Sequence, residues 1–565
     1  MPKAQWKNLN ETAWLAYTLP TCGGKADFMD LSFSIWFFFR NFFFVLAGFY
    51  LLSGLDDLIV DCIFYGRLIF RKLFRRGVIR PVTREQLEAV PEKLAVIIVP
   101  AWDESAVIGR MLLNTINTVL YRNYQIFVGT YPNDEATKLE VEKIREIYPN
   151  VQVAVTPANG PTNKADCLNW IFQGVKVFEK DHDCRFEFFV FHDAEDVVHP
   201  LSLKYYNFLT PRIPFIQVPV FPLEQKWYNL TVGMYMDEFA ENHTKDLRVR
   251  EVLSRAIPSA GVGTAMTREA MDYLATLRNN QLFDIKSLTE DYVMGLSLKD
   301  MPGRKILLQQ EVEREVMVRD AKGQEVRRRV MEKVATREFF PSTFAAAVHQ
   351  KSRWILGIAL QGWSFGWTGK LGLDYCLLRD RKSVLANLLT VAGYFVVGYW
   401  GLSYVIGQIK PEWAVPPLVA VEEPGYVVVK VVMGLFFWRL FNRIVCTWHV
   451  YGFLQGLMAV PRLFYGNFLN FAATWKAIKR YIVARVAGKV PEWGKTSHAY
   501  PSEAQLRTFR RKLGDLLLDR RLITAAQLES ALARQKTEGK KLGEILVEMG
   551  AIKVADLQMA LDLQR

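Results

Sequence analysis

Apolar positions along this chain come in two kinds of run, long unbroken spans and short blocks set between helical patterns, and the contrast divides the sequence. Residues 31–53, LSFSIWFFFRNFFFVLAGFYLLS, form a long span, enough to cross a hydrocarbon core of about 30 Å as a helix. Arg40 lies near its middle and would cost about 2.5–3.5 kcal/mol against lipid, so it is expected to face protein, water or a headgroup. Two more spans, roughly residues 384–406 and 425–445, come late in the chain, the second interrupted by Lys430, Arg439 and Arg443. Beyond them, residues 453–472 are broken by Pro461 and Arg462, and residues 475–489 set Lys476, Lys479, Arg480 and Arg485 among aliphatics; both suit helices lying in the membrane interface.

The short blocks occupy residues 94–219. LAVIIVP, YQIFVG, VQVAV, FEFFVFH and PFIQVPV alternate with helical patterns over residues 104–120, 134–147 and 164–177. Strands alternating with helices predict βαβ units and a mostly parallel sheet, with ligands gathering at the carboxyl ends of the strands. Residues 311–337 are dense in alternating charge around the turn Ala321-Lys322-Gly323 and read as an exposed hairpin or loop.

The end of the chain repeats itself. Leu513, Gly514, Leu517, Leu528, Leu532 and Gln535 recur 29 positions later as Leu542, Gly543, Leu546, Leu557, Leu561 and Gln564. Each copy is too short to bury a core alone, so the two are expected to pack together as a separate small helical domain.

Composition and charge sharpen this picture. The chain has 565 residues, half of them apolar and 13% aromatic, with a formal net charge of +13. The basic residues collect beside the spans: Arg67, Arg71, Lys72, Arg75, Arg76 and Arg80 after the first, Lys370, Arg379, Arg381 and Lys382 before the second. The connection between the later spans carries Glu422 and Glu423 instead. The positive-inside rule then gives three crossings, an outer N-terminus, and a cytoplasmic middle region and C-terminus. Charge placed this way argues against nucleic acid as a partner. The cysteines have no C-x-x-C spacing, which argues against a zinc ribbon or disulfide framework. A polar run of some thirty residues precedes the first apolar block, which is read as an anchor rather than a cleavable signal.

Candidate chemistry sits where the strands end. FEFFVFHDAEDVVHP closes a buried strand with Asp193, Glu195 and Asp196, hard oxygen ligands of the kind that hold Mg²⁺ or Mn²⁺ against phosphate; the alternative is a solvated loop. Trp102-Asp103-Glu104 and Asn133-Asp134 follow the first two strands, where acids accept hydrogen bonds from a base or ribose. Lys164 opens a helix, either to neutralise phosphate or as a solvated start. Thr289-Glu290-Asp291 offers a general base or an ordinary N-cap. Gln350, Arg353 and Trp354 share one helical face, with an interfacial tryptophan and a snorkelling arginine as the plainer reading.

The order VPAWDE, NDE, NKADCLN, DAED, SAGVGT, TED, QKSRW resembles the processive family 2 glycosyltransferases, the cellulose, chitin and hyaluronan synthase group. The wording of HDAEDV, PSAGVGT, SLTEDY and VHQKSRWILGI, with GNFLNF and the W-x-K-T-x-H of residues 493–498, is similar to the NfrB (phage-adsorption protein B) type of bacterial inner-membrane glycosyltransferase. The tail resembles the MshEN domain, whose doubled RLGxxL motif binds cyclic di-GMP.

These resemblances imply an α/β GT-A (Rossmann-like) domain inserted between transmembrane helices, plus a small all-α MshEN-like tail. The implied division is residues 1–85 with the first span, 86–340 as the GT-A domain, 341–500 with QxxRW and two spans, and 501–565 as the tail. The implied activity is inverting transfer of a sugar, an N-acetylhexosamine by family likeness, from a UDP-sugar to a growing exopolysaccharide, activated by cyclic di-GMP. Rival readings are a phage-receptor or scaffold component and a single addition to a lipid phosphate.

Carried over by position, Glu104, Asp134, Lys164, Gln350, Arg353 and Trp354 bind the UDP-sugar. Asp193 with Glu195 or Asp196 holds the divalent cation, and Asp291, beside Glu290, is the catalytic base. Gly261, Gly263, Thr264 and Trp354 meet a polysaccharide or lipid-linked acceptor. In the tail, the repeated positions together with Arg511, Lys512 and Lys541 match the cyclic di-GMP motif. Lys512 and Lys541 stand where that motif often has arginine, and lysine lacks the fork that grips a guanine edge. Membrane lipids and an outer-membrane export partner complete the implied partners.

Overall fold

The computed structural model describes residues 25–74, 82–210, 212–319, 325–488, 499–506, 513–520 and 522–564. Arg75, Arg76 and Arg80, the 321–323 turn, residues 493–498, Arg511, Lys512 and the Gln564 side chain lie outside that description.

In chain order the elements are α1 (Lys25–Phe74), α2 (Arg84–Glu88), β1 (Ala95–Pro100), α3 (Ile108–Thr118), β2 (Tyr124–Thr130), α4 (Glu135–Ile147), β3 (Val151–Val155), α5 (Lys164–Asp181), β4 (Phe188–Phe191) and α6 (Ser202–Leu209). There follow β5 (Phe215–Gln217), β6 (Val220–Pro222), α7 (Leu230–Glu241), α8 (Leu247–Ser254), β7 (Thr264–Thr267), α9 (Arg268–Leu277) and α10 (Glu290–Ser297). Next come β8 (Lys305–Leu307), β9 (Glu311–Arg319), β10 (Glu325–Lys333), β11 (Thr336–Glu338) and α11 (Phe344–Trp354), which runs into a π-helical segment, Ile355–Leu360. The chain closes with α12 (Leu371–Ile409), α13 (Pro424–Tyr451), α14 (Phe453–Val486), α15 (Glu503–Leu506), α16 (Leu513–Asp519), α17 (Ala525–Glu538), α18 (Leu542–Glu548) and α19 (Val554–Gln564).

The main sheet has the order β3-β2-β1-β4-β7-β5-β8. Strands β3, β2, β1 and β4 are parallel, as the alternation of blocks predicts, while β7 runs antiparallel to both β4 and β5. Along β1 the side chains alternate between two cores. Ala95, Ile97 and Val99 pack with Ile108, Met111 and Leu112 of α3, and Val96 and Ile98 pack with Leu168, Ile171 and Phe172 of α5. Burial on both faces explains why this strand reads as one continuous apolar run, and each fully buried aliphatic contributes about 1.5–3 kcal/mol.

Two expectations change, and the choice between hairpin and loop at residues 311–337 falls to the hairpin. The block PFIQVPV is two short strands in two sheets, β5 in the main sheet and β6 paired with β11, because Pro219 interrupts it. Residues 311–337 supply a nine-pair antiparallel hairpin, β9–β10, followed by β11. Pro461 and Arg462 do not break a helix, since α14 runs through both. Arg462 is fully buried rather than interfacial, held by Asp237 at 3.4 Å, by Gln455 Oε1 at 2.5 Å and by the Trp227 carbonyl at 2.9 Å.

The chain divides into two compact units, Met1–Leu58 with Leu389–Arg439, and Ile59–Leu388 with Leu440–Arg565. In the first unit Arg40 faces protein, its Nη2 2.9 Å from Glu423 Oε2, and Phe39 stacks on Tyr399 with ring centres 4.1 Å apart. Three helices among the described residues are long and apolar enough to cross a membrane, Leu31–Phe74, Leu371–Ile409 and Pro424–Tyr451.

Candidate active site

The acid-bearing tip of β4 is built by a turn that closes on itself. The His192 amide still donates to Ile98 O (3.0 Å), after which the chain leaves the sheet. Asp196 Oδ2 accepts from the Asp193 amide at 3.1 Å and from His192 Nδ1 at 2.6 Å. Burial drives the His192 pKa down to about 3, so a neutral imidazole donates to this carboxylate. Asp193 and Glu195 line a cleft at the carboxyl ends of β1 and β4, whereas Asp196 is fully buried and turned toward His192. Of the two acids that sequence leaves open beside Asp193, Glu195 is the one on the cleft.

Across the cleft, Asn163 caps α5 by accepting from the Asp166 amide (2.8 Å), which sets Lys164 at the helix start. Lys164 Nζ lies 2.5 Å from Asp193 Oδ1. Burial opposes its charge, but Asp193, Glu290 and Asp291 outweigh burial and raise its pKa. Glu290 and Asp291 open α10 and are themselves pushed above the ordinary carboxylate range, by burial first, with Lys164 holding both back. Gly261 adopts φ +81, and a Cβ there would stand 2.7 Å from Asp291 Oδ2, so the carboxylate lies against loop backbone where a side chain would obstruct it.

The segment after QxxRW clamps this helix start. The Leu288 amide donates to Gln361 Oε1 (3.1 Å), and Gly357 of the π segment lies directly against Thr289, where any Cβ would overlap the threonine side chain. Arg353 is drawn into the same field: burial lowers its pKa, Glu290 raises it, and Arg480 of α14 lowers it further. Gln350 Oε1 is buried with no hydrogen-bond partner among the described residues. The Trp354 ring packs in an aromatic group with Tyr235, Phe239 and Phe340, centroids 6.0–6.3 Å apart, so much of its surface belongs to a core.

On the other wall, Asp134 spends both oxygens on backbone. Oδ1 accepts from the Thr137 amide at 3.3 Å and Oδ2 from the Asp103 amide at 2.5 Å, which fixes Asp103 at φ 53. Glu104 and Trp102 line the cleft beside it, Trp102 meeting Tyr131 edge to face at 5.0 Å. Asn133 exchanges two hydrogen bonds with Gly160 and so pins the loop that leads to Lys164.

Of the residues matched to the acceptor, Gly261 is beside Asp291, but Gly263 and Thr264 stand differently. Thr264 is fully buried, its hydroxyl joined to Ser259 Oγ and Gln217 Oε1, each at 2.7 Å, while the Gly263 carbonyl accepts from the Val218 amide and the Tyr206 hydroxyl. Both hold the loop from behind, because β7 begins at Thr264 inside the sheet.

Sequence reasoning passed over Gly357, Arg480 and a half-buried triad in which Arg250 forks onto Asp380 (3.0 and 2.8 Å) and Tyr292 donates to the same carboxylate (2.5 Å), anchoring α10. The one signal for the triad was the lone acid in Arg379-Asp380-Arg381-Lys382.

With this geometry in hand, comparison with known proteins gives one decisive match: residues 91–357 fit the model described as glycosyltransferase like family 2. The chain carries a family 2 glycosyltransferase-like domain. That domain spans β1 to the π segment and includes every cleft residue named above except Gln361 and Arg480. The chain is 38% identical over 496 residues to the bacteriophage adsorption protein B of Escherichia coli K12, and equally to the bacteriophage N4 adsorption protein B of Escherichia coli O157:H7. The match covers 87% of this chain and 66% of the length of each relative. Among solved structures, a mannosyltransferase from Pyrobaculum calidifontis in complex with GDP-Man and Mn²⁺ is similar at 12% identity, with a TM-score of 0.36, covering 69% of this chain and 99% of that one.

The tail is a second candidate site. Its two copies share one core that includes Leu517, Ala531, Ile545 and Leu546. A Cβ at Gly514 would meet Leu528 at 2.7 Å and one at Gly543 would meet Leu557 at 2.5 Å, so each repeated glycine admits the repeated leucine of its own copy. Leu513, Leu542, Leu532, Gln535, Leu561 and Lys541 are half-buried or exposed, and the Lys541 amide donates to Glu544 at the start of α18. Much of the repeat is therefore packing, with Leu517 and Leu546 turned wholly inward.

Proposed function

We propose that the family 2 domain transfers a sugar from a UDP-sugar to an acceptor hydroxyl with inversion, Asp291 acting as the base. The convergence of Lys164, Asp193, Glu290, Asp291 and Arg353 in one half-buried field carries this reading. The acceptor oxygen bonds to the anomeric carbon as the carbon–oxygen bond to the diphosphate breaks. The hydroxyl proton passes to Asp291, whose raised pKa suits a general base, and UDP leaves with the bonding electrons. Lys164 and Arg353 answer the charge that builds on the diphosphate.

Asp193 and Glu195 fit a divalent cation, Mg²⁺ or Mn²⁺, as two hard-oxygen donors facing one cleft. Among the described residues no group of three His, Cys, Asp or Glu side chains is placed to hold an ion by itself, so the remaining ligands would come from substrate phosphates and water. Such a cation neutralises the diphosphate when bound. Asp134 serves the nucleotide side by fixing the Asp103 loop, and Gln350 and Trp354 shape the far wall. Asp291→Asn is expected to lower transfer about 10²–10⁴-fold while UDP binds as before; full activity in that variant overturns the proposal.

A polysaccharide acceptor follows from the family likeness. A lipid-linked phosphate is the second reading, favoured by Lys476 and Arg480 on α14, where Lys476 Nζ lies 3.2 Å from His349 Nδ1 and the charge of Arg480 reaches Arg353. Product length on a gel separates the two. The wider reading places the chain in a bacterial inner membrane with the family 2 domain cytoplasmic, in contact with lipids and an outer-membrane export partner. It is supported by the three apolar helices and the phage-adsorption relatives. The four-part division of the chain belongs to the same reading, as does cyclic di-GMP acting through the tail; titration of the full chain with cyclic di-GMP giving no heat would remove the latter.

A further inference from the structure

The short stretch 499–506, between α14 and the tail, is embedded in the family 2 domain. Tyr500 is 6% exposed and, with Leu506, belongs to the core that contains the strand-tip residues Ala194, Val197 and Val198. Arg110 of α3 closes over it, the guanidinium 5.7 Å from the ring centre and Nη2 donating to the Pro501 carbonyl at 3.2 Å. The phenol faces Asn114 of the same helix, and its pKa is raised by burial and then by the charge of Asp196. Asp196 is the carboxylate that fixes His192 and the Asp193 amide. The tail has its own footing on the same wall, since α19 meets α3 and the charge of Arg520 reaches Tyr148 at the end of α4. Helix α3 in turn springs from the loop where the Val107 and Ile108 amides donate to the carbonyl of Glu104, a cleft residue.

We infer that the 499–506 stretch links the tail to the cleft, with Tyr500 a positioning residue that supports the Asp193–Asp196 turn from behind through the core it shares with Ala194, Val197 and Val198. Reseating the tail then changes the aim of Asp193 and Glu195, because a close-packed core shifts as a unit and does not yield gradually. This inference rests on the site reading proposed above and adds its regulation.

The test uses the full chain in lipid nanodiscs, as wild type, Tyr500→Ala, Tyr500→Phe and Arg110→Ala. Two readouts are independent of transfer: amide hydrogen exchange over residues 192–197, and Mn²⁺ titration in the presence of UDP followed by tryptophan fluorescence. Tyr500→Ala is expected to speed exchange of the Asp193 and Asp196 amides and to raise the half-saturating Mn²⁺ about 10-fold, the scale of losing support behind a metal ligand. UDP affinity without metal and exchange in the strands of the sheet stay as in wild type. Tyr500→Phe keeps the ring and returns both readouts to within about threefold of wild type, as packing dominates the support. Should Tyr500→Ala fail to fold, Arg110→Ala loosens the same contact from the surface and moves both readouts in the same direction. Unchanged exchange and unchanged Mn²⁺ titration in Tyr500→Ala, or in Arg110→Ala where the former cannot be made, overturn the inference. A wild-type chain that transfers no sugar overturns the proposed function instead and leaves the exchange result standing.

Discussion

Two constellations of buried charge lie in the same unit of this chain, and they differ in how their charges are answered. Along α7, every acid has a base at contact distance: Asp237 has Arg462 (3.4 Å), Glu238 has Lys351 (2.5 Å), and Glu241 has Arg443 (2.8 Å) and Lys245 (3.1 Å), the last also reaching Asp61 (2.6 Å). In the cleft, Asp193, Glu290 and Asp291 share Lys164 and Arg353, and both acids of α10 are raised in pKa; on α7 burial raises Asp237 as well, while Lys351 holds Glu238 below its ordinary value. A closed network fixes helices against one another. One with surplus carboxylate is poised to take a proton or meet a cation, as the proposed transfer requires.

The contrast breaks most sharply at Arg462. Arg462→Ala strands the Asp237 carboxylate in the core and is expected to cost about 3–5 kcal/mol, measured by denaturant unfolding in detergent. A loss no greater than that of a surface arginine would mean the α7 network is not closed. Lys164→Met, by contrast, is expected to abolish transfer while the fold survives, because Glu290 and Asp291 can answer the loss by protonating.

The next largest effect tests what holds the cleft open. Gly357→Val drives a branched side chain into Thr289 and is expected to cost about 1–3 kcal/mol and to displace Asp291, seen as a fall in kcat with UDP affinity retained. Retained kcat would show that the α10 start does not depend on the π segment.

How much of this was legible follows from where the information lies. The parallel half of the sheet was readable because β1, β2 and β4 are buried on both faces and appear as unbroken apolar blocks. Strand β7, Thr264-Ala265-Met266-Thr267, carries no such run, and its place between β4 and β5 is set by pairing alone. The acids and Lys164 were legible as polar clusters after strands. The buried turn of Asp196 toward His192 was not, since an acid at the fourth position of a turn reads alike whether it faces solvent or folds back. Arg462 looked interfacial because a helix pattern cannot show a partner acid on α7, more than two hundred residues away in the chain.

A smaller effect separates the networks by pH. Burial, then Asp291, places Glu290 above its ordinary value of 4.5, so the folded state favours its neutral form. That contribution is complete below the unfolded value and is lost as pH rises through the folded one. Glu290→Gln is expected to flatten the fall in stability from pH about 5 to about 9, by on the order of 1 kcal/mol. An unchanged slope would place the surplus charge elsewhere.

The smallest effect is the most discriminating. Lys351 lies inside the QKSRW stretch, so by sequence it belongs to the cleft, yet it pairs with Glu238, which also accepts from Asn470 at 3.0 Å. Removing either partner alone strands a buried charge and is expected to cost about 3–5 kcal/mol. The double variant Lys351→Met, Glu238→Leu removes both charges together. It loses the Asn470 hydrogen bond but no longer has to desolvate an ion pair, so its stability is expected to stay within about 1 kcal/mol of wild type. If the α7 network is scaffolding, transfer by the double variant stays near the wild-type rate. A stable double variant with transfer lost would move Lys351 from the closed network into the cleft, and the division between the two constellations would fall between Glu238 and Glu241 instead.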